Sequence, residues 1–479
     1  MSNKSLDLPM GEFAALLNKS TQLVLDKYSN LEGQKAYHFY PQSEIESWFE
    51  ESIPEEGMDD YELLDLVKEK VIDTATNNVG PYMYAYVMAG GTQMSIVAEK
   101  LAAAINQNLG KWHLGPALNE IERRVIQWAG QLMGFDEEPG GVLVSGGSAA
   151  NLVGLTVARN IFFEKQGIRK KGLFGLAPFV AYASSEVHGC VDKSIDELGI
   201  GTDNLRKIEV NEDFTINLEK LETSIKKDLA DGLTPFCVIG NAGTVNTGAI
   251  DDLKGLAAIA QKYELWFHID GAYGGLAGSL DSIKEHYKGI DLADSIAVDF
   301  HKWLYQTFEA GCLLVKNWDQ LKRTYFKQAS YLDTELEDKG RLDFNEHSFQ
   351  LSKCSKALKI WMSIKSYGIR AIKEMIQKDI DLTHYLAEQI DQSDDFELKS
   401  TSHLAVTCFK YTRGLTSQEE IDQLNRKLIP ALEKDGRVFI TSTKLNGEFV
   451  IRACLINHRM HRGTVDYLIK VIREVGSRI

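Results

Sequence analysis

The most constraining feature of this chain is an alternation. Between about residue 86 and residue 372, short β-branched and aromatic runs recur, with amphipathic stretches at helical spacing between them. The runs are Val142-Leu143-Val144, Phe179-Val180-Ala181-Tyr182, Cys237-Val238-Ile239, Leu265-Trp266-Phe267-His268-Ile269 and Ser295-Ile296-Ala297-Val298. Leu253 to Tyr263 is one of the helical stretches. Short, almost wholly apolar runs read as strands buried on both faces. Helices alternating with them imply crossover connections, so an α/β unit with a parallel or mixed sheet covered on both sides is predicted. The flanks differ in texture. Residues 1–85 carry apolar positions at helical spacing, such as Leu16, Leu17, Leu23 and Leu25, then Leu63, Leu64, Leu66 and Val67. Residues 373–479 read as a small α/β unit, with strands at Leu404–Phe409, Val438–Thr443 and Phe449–Ile456 and helices at Gln418–Asp435 and Thr464–Val475. A length of 479 residues accommodates these three units: 1–85, 86–372 and 373–479.

Charge and composition narrow the function classes. The formal net charge is −15, which argues against a nucleic-acid backbone as partner. No run approaches the roughly 18–20 apolar residues of a membrane-spanning helix. Met1 to Glu12 contains no apolar core of a signal peptide. The six cysteines form no CxxC pair, and Cys237 sits inside an apolar run, so free buried thiols are expected. A soluble cytoplasmic protein is the expectation.

Two residues carry most of the chemical signal. Asp270, in His268-Ile269-Asp270-Gly271-Ala272-Tyr273, ends an apolar strand, and α/β ligand sites lie at that lip of a parallel sheet. Lys302, in Asp299-Phe300-His301-Lys302-Trp303, follows another strand. Burial among aromatics would disfavour its charged form and make it a nucleophile toward an aldehyde. Pyridoxal 5′-phosphate (PLP) needs both: an amine to hold it and an acid to pair with its pyridinium nitrogen. Ser145-Gly146-Gly147-Ser148 is a strand–turn–helix junction whose free backbone N–H groups suit a phosphate. It lacks the Walker and GxGxxG spacings. His188, in Glu186-Val187-His188-Gly189, follows a strand and can stack on a planar ring. Each feature alone has a plainer explanation: a turn cap, a surface lysine, a helix cap, a satisfied core histidine. His458 and His461 form an H-x-x-H without further ligands, so no metal site is expected.

Taken in order, the glycine-serine turn, His188, the Asp270-Gly-Ala-Tyr segment and His301-Lys302-Trp303 resemble the PLP-dependent amino-acid decarboxylase family typified by aromatic-L-amino-acid decarboxylase. The resemblance runs from about Pro81 to Trp361 and implies the aminotransferase-like PLP fold (fold type I). That fold has a mixed seven-stranded-type sheet flanked by helices, an N-terminal helical layer and a small C-terminal α/β domain. It also implies a homodimer with shared active sites. Carried over residue by residue, Gly147 and Ser148 correspond to phosphate binders and His188 to the ring-stacking histidine. Asp270 corresponds to the partner of the pyridine nitrogen, Ala272 to the contact on the opposite ring face, Lys302 to the cofactor lysine and His301 to its helper. Tyr331 falls where the family carries a loop tyrosine that protonates the α-carbon. Thr244 is a further cofactor contact, although Val245 follows it where those enzymes have a second threonine. Pro81 to Tyr86 and the Trp112 segment resemble the substrate region, which makes Tyr84, Tyr86 and Trp112 substrate contacts.

There are departures from the family's pattern. Asp299 stands where animal aromatic decarboxylases have an Asn near the phosphate. A carboxylate would repel that group, so Asp299 is expected to point away or to hydrogen-bond backbone. Asn108 and Gly110 replace bulky apolar residues of aromatic-specific members. The implied reaction is decarboxylation of an L-amino acid to its amine and carbon dioxide, with an aromatic substrate leading. The alternatives are glutamate, aspartate or diaminobutyrate as substrate, or an aldehyde-forming relative.

Overall fold

A computed structural model describes residues 6–327 and 340–479. Its centre is a seven-stranded sheet made of β1 (Gly140–Val144), β2 (Phe179–Ser184), β3 (Leu205–Ile208), β4 (Thr234–Asn241), β5 (Trp266–Gly271), β6 (Ser295–Asp299) and β7 (Gly311–Val315). The spatial order is β1-β7-β6-β5-β4-β2-β3. Strands β2 to β6 pair in parallel. β7 runs antiparallel to both β1 and β6, which makes the sheet mixed. Every residue of β1, β2, β5, β6 and β7 is buried. That is the double-sided burial the apolar runs called for, each Val, Ile or Phe contributing about 1.5–3 kcal/mol. β3 was not among the expected runs because it is an edge strand whose Arg206 and Lys207 are not buried. β7 was missed although Gly311-Cys312-Leu313-Leu314-Val315 is apolar throughout.

The C-terminal portion holds a second, antiparallel sheet of β8 (Phe396–Thr401), β9 (Val406–Tyr411), β10 (Thr441–Leu445) and β11 (Glu448–Cys454), in the order β10-β11-β9-β8. Helices Gln418–Asp435 and Arg462–Gly476 pack with it. β8 escaped the sequence reading because only its first residue is buried. The helix Ala357–Asp391 runs through the expected division at 372/373, with a break at Gly368, whose φ of 74° suits glycine. The expected division at 85/86 falls in a segment bound to the small sheet. Tyr84 N–H donates to Phe439 O (2.8 Å), and Cys454 N–H donates to Tyr84 O (2.9 Å).

The N-terminal helices Met10–Ser29, Gln42–Trp48 and Asp60–Val67 bury no residue. Among the described residues no helix is long and apolar enough to cross a membrane. No group of three or more His, Cys, Asp or Glu there could hold a metal ion.

Candidate active site

Strands β1, β2, β4, β5 and β6 all point their carboxyl ends to one edge of the large sheet, and the loops leaving that edge form a cleft of about 1040 Å³. β1 delivers Gly146, Gly147 and Ser148; β2 delivers His188; β5 delivers Asp270 and Ala272; β6 delivers Asp299, His301 and Lys302. Ligand sites form at this edge because the strand ends open there while helix N-termini converge on it.

The phosphate turn is built by close approach. Helix Gly147–Phe162 starts without a side-chain cap among the described residues, so its first N–H groups are open to a ligand. A Cβ on Gly147 would lie 2.6 Å from the Ala272 methyl and 2.9 Å from Asp299 Oδ2, so only glycine lets the turn sit against β5 and β6. Two turns further along, a Cβ on Gly154 would lie 2.7 Å from His268 Cε1.

His268, which sequence reasoning passed over as strand filling, locks this helix to the sheet. Trp266 Nε1–H donates to Ser295 Oγ (2.9 Å), and Ser295 Oγ pairs with His268 Nδ1 (2.7 Å). His268 Nε2 pairs with Asn151 Oδ1 (2.8 Å), and Asn151 Nδ2 donates to Cys190 Sγ (3.4 Å). Burial pushes His268 down to about 4, so it stays neutral. Its Nε2 must then carry the proton that Asn151 accepts. Burial pushes the Cys190 thiol up to about 12, which removes it as a nucleophile.

His188 caps helix Gly189–Glu197. Its Nδ1 accepts from Cys190 N–H (3.2 Å), which fixes the ring and leaves Nε2 as the free nitrogen. Asp270 is 7% exposed, and its Oδ1 accepts from Ala272 N–H (3.2 Å). His301 Nδ1 accepts from Ala310 N–H (3.1 Å), which turns Nε2 toward Asp299 Oδ2 at 3.5 Å. Lys302 Nζ lies 2.9 Å from Asp299 Oδ2. The amine therefore meets a carboxylate and not the purely apolar surroundings expected of it. Asp299 likewise departs from expectation: it points into the cleft, because Lys302 gives it a cationic partner.

Three expected contacts are not brought to the cleft. Tyr84 is fully buried in the small-domain core and donates to Thr464 O (2.7 Å). Trp112 bonds Glu120 through Nε1 (3.0 Å) and lies under Arg341, away from the lining residues. Thr244 pairs its hydroxyl with Thr247 (3.0 Å) and accepts from Ala249 N–H (3.1 Å), so it closes its own loop. Tyr86 does line the cleft. Tyr331 lies outside the described residues.

Arg452 of β11 is the residue that sequence reasoning missed. It is 4% exposed and lines the cleft from the small domain. Its Nε donates to Val245 O (2.9 Å) and its Nη1 to Tyr86 O (2.8 Å), while Nη2 is buried with no hydrogen-bond partner among the described residues. An arginine inside Phe449-Val450-Ile451-Arg452-Ala453-Cys454 was the available signal, since a charge is rarely spent in an apolar strand.

Together these features fit a PLP site: a phosphate-sized turn, a buried acid, a lysine at the cleft and a fixed imidazole. The fold and the cleft define a fold type I PLP enzyme. Residues 41–412 match the pyridoxal-dependent decarboxylase conserved domain, and the chain belongs to that family. It is 31% identical to the aromatic-L-amino-acid decarboxylase of Bacillus atrophaeus, over 99% of this chain and 97% of that one. It is 27% identical to tyrosine decarboxylase 4 of Petroselinum crispum, over 83% of this chain and 81% of the other. The structure of Oryza sativa TDC with PLP and tryptamine superposes with a TM-score of 0.93 over 99% of each chain. At 23% identity, that likeness speaks to the fold.

Proposed function

We propose that this PLP-dependent decarboxylase acts on an aromatic L-amino acid, releasing the amine and carbon dioxide, with Lys302 as the cofactor lysine. The observation that carries the reading is the convergence of Lys302, Asp270, His188 and the Gly147–Ser148 turn on one cleft. When bound, PLP supplies an electron sink that weakens the bond from the α-carbon to the carboxylate. Asp270 would pair with the ring nitrogen and keep it protonated, and its burial at the cleft would strengthen that pairing. His188 and Ala272 would hold the ring, the turn's N–H groups would hold the phosphate, and His301 would support Lys302 through Asp299. Arg452 offers its free Nη2 to the substrate carboxylate and so orients the bond that breaks. Tyr331 is the proton donor to the α-carbon; an ordinary phenol has a pKa of about 10 and is protonated at neutral pH.

Charge and surface in the cleft support the aromatic substrate. Its lining holds four carboxylates, Asp270, Asp299, Glu309 and Glu433, against Lys302 and Arg452. With Arg452 committed to the α-carboxylate, a second substrate carboxylate would enter without a cation. The mouth is aromatic: Tyr37 stacks on Phe439 (4.7 Å, 12°), and Tyr86 meets Phe439 edge-on (6.3 Å, 67°). The names of the Bacillus and Petroselinum relatives point the same way.

Two further parts belong to this reading. The protein acts as a homodimer, because helices that bury nothing carry large exposed apolar side chains, and helix Gln93–Ile105 exposes Val97, Leu101 and Ile105 on one face. It works in the cytoplasm, in keeping with six cysteines that are all free.

Borohydride reduction followed by peptide mapping should place the cofactor on Lys302. Carbon dioxide release over the natural amino acids should be faster for at least one aromatic substrate than for glutamate or diaminobutyrate. A label on another lysine removes the site, and faster turnover of glutamate or diaminobutyrate removes the substrate class.

A further inference from the structure

Asp299 is an acid at the base of the cleft whose second oxygen is buried and unpartnered among the described residues. It ends β6 and is 2% exposed. Oδ2 serves Lys302 at 2.9 Å and faces His301 Nε2 at 3.5 Å. Oδ1 is buried and has no hydrogen-bond partner among the described residues. Both oxygens lie under the glycine turn: a Cβ on Gly147 would come within 2.9 Å of Oδ2, and one on Gly146 within 3.9 Å of Oδ1. The carboxylate is thus the floor of the cradle in which a phosphate is held.

In this structure Lys302 is the counter-charge of Asp299. Loading the cofactor changes the company of that carboxylate in two ways. A phosphate comes to the turn above it, and the nitrogen of Lys302 is drawn to the cofactor. Among the described residues, His301 is then the base left within reach of Asp299. Like charges crowded in a desolvated site raise each other's proton affinity.

We propose that the Asp299–His301 pair takes up one proton from solvent when PLP is loaded, so that this enzyme holds its cofactor less tightly as pH rises. The proposal rests on Lys302 being the cofactor lysine.

The other groups facing the pair leave it as the acceptor. On its own turn stand Lys302 and His301. From β7 comes Cys312, whose thiol burial holds far above its ordinary range. From helix Ala357–Asp391 comes Lys359, already paired with Glu99. Beside His301, whose ring touches Phe308 at 4.6 Å, Glu309 is paired with Lys356 at 3.5 Å. The glycine turn contributes no titratable side chain. Burial lowers the pKa of His301, with Asp299 opposing, and the atom of the pair left open to a proton is Asp299 Oδ1.

The test is PLP binding to the cofactor-free full chain, measured calorimetrically in buffers of different ionisation enthalpy at pH 7 to 9. Wild type, Asp299→Asn and His301→Gln are compared, with borohydride labelling of Lys302 in each. Wild type should take up about one proton more than either variant, and its Kd should rise about tenfold more per pH unit than that of Asp299→Asn. Asp299→Asn should therefore overtake wild type in affinity toward pH 9. Equal proton uptake in wild type and Asp299→Asn, with Lys302 labelled in both, overturns the proposal and leaves the site reading standing. If one variant does not fold, the other decides on the same criterion. If wild type binds no PLP at Lys302, the site reading falls and takes this proposal with it.

Discussion

The carboxyl edge of the large sheet and the N-terminal helices are built on opposite terms. At the sheet edge, β5 and β6 are buried throughout, and the groups that face the cleft are held by bonds within the chain. His188 is fixed by Cys190 N–H and His301 by Ala310 N–H, and beneath them His268 ties the helix to the sheet through Asn151 and Ser295. The N-terminal helices have the apolar spacing of helices that pack, yet none of their residues is buried, and Leu25, Leu63 and Leu66 stay exposed. One region is held by contacts within the single chain. The other leaves large apolar side chains that the single chain does not cover. Intrachain packing can thus fix the groups of a cleft while leaving an apolar face elsewhere uncovered, the face on which the proposed dimer depends.

Replacing Asp270 by Asn attacks the finished region. The Asn keeps the bond from Ala272 N–H but loses the charge. Amine formation should fall by about 10²–10³-fold, the scale of removing one preorganised electrostatic partner, while PLP remains bound. A variant within a few-fold of wild type in single-turnover assays would break the claim that the sheet edge is the chemical half.

The unfinished region is tested by Leu25→Glu combined with Leu63→Glu. Both side chains are exposed in the single chain, so its own stability should move by no more than about 0.5 kcal/mol per site. The expected outcome is a dimer that dissociates on dilution, with activity lost in step. Light scattering coupled to activity at several concentrations checks it. A fully active monomer, or a dimer unaffected by both changes, would mean that these helices do not form the interface.

The smallest effect separates two neighbouring tyrosines. Tyr84→Phe removes the bond to Thr464 O, which costs about 1 kcal/mol of stability, and should leave KM unchanged. Tyr86→Phe should leave stability unchanged and alter KM, because Tyr86 lines the cleft and is 60% exposed. Thermal melts and steady-state kinetics on the pair read both. A KM change in Tyr84→Phe alone would reverse the assignment.

Much of this was legible without coordinates, for physical reasons. A strand buried on both faces must be apolar along its length, so β1, β2, β4, β5 and β6 declared themselves. A residue that ends such a strand with a charge, as Asp270 does, has few other reasons to be there. The turn at Gly146–Gly147, His188 and Lys302 stand out because each sits just past a readable strand. Strands half exposed at an edge, β3 and β8, carry no such pattern. What only the tertiary structure decided is which side chains point inward from distant parts of the chain. Tyr84, Tyr86 and Trp112 are equivalent aromatics in sequence. Packing against the small domain buries the first, opens the second to the cleft and leaves the third under Arg341. Arg452 reaches the site from more than one hundred and fifty residues beyond Asp299, and Asp299 finds in Lys302 the counter-charge that lets it face a phosphate turn. Local pattern encodes burial, because burial needs only the right residue at the right period. Contact between side chains depends on how far the chain has folded back, and no local pattern carries that.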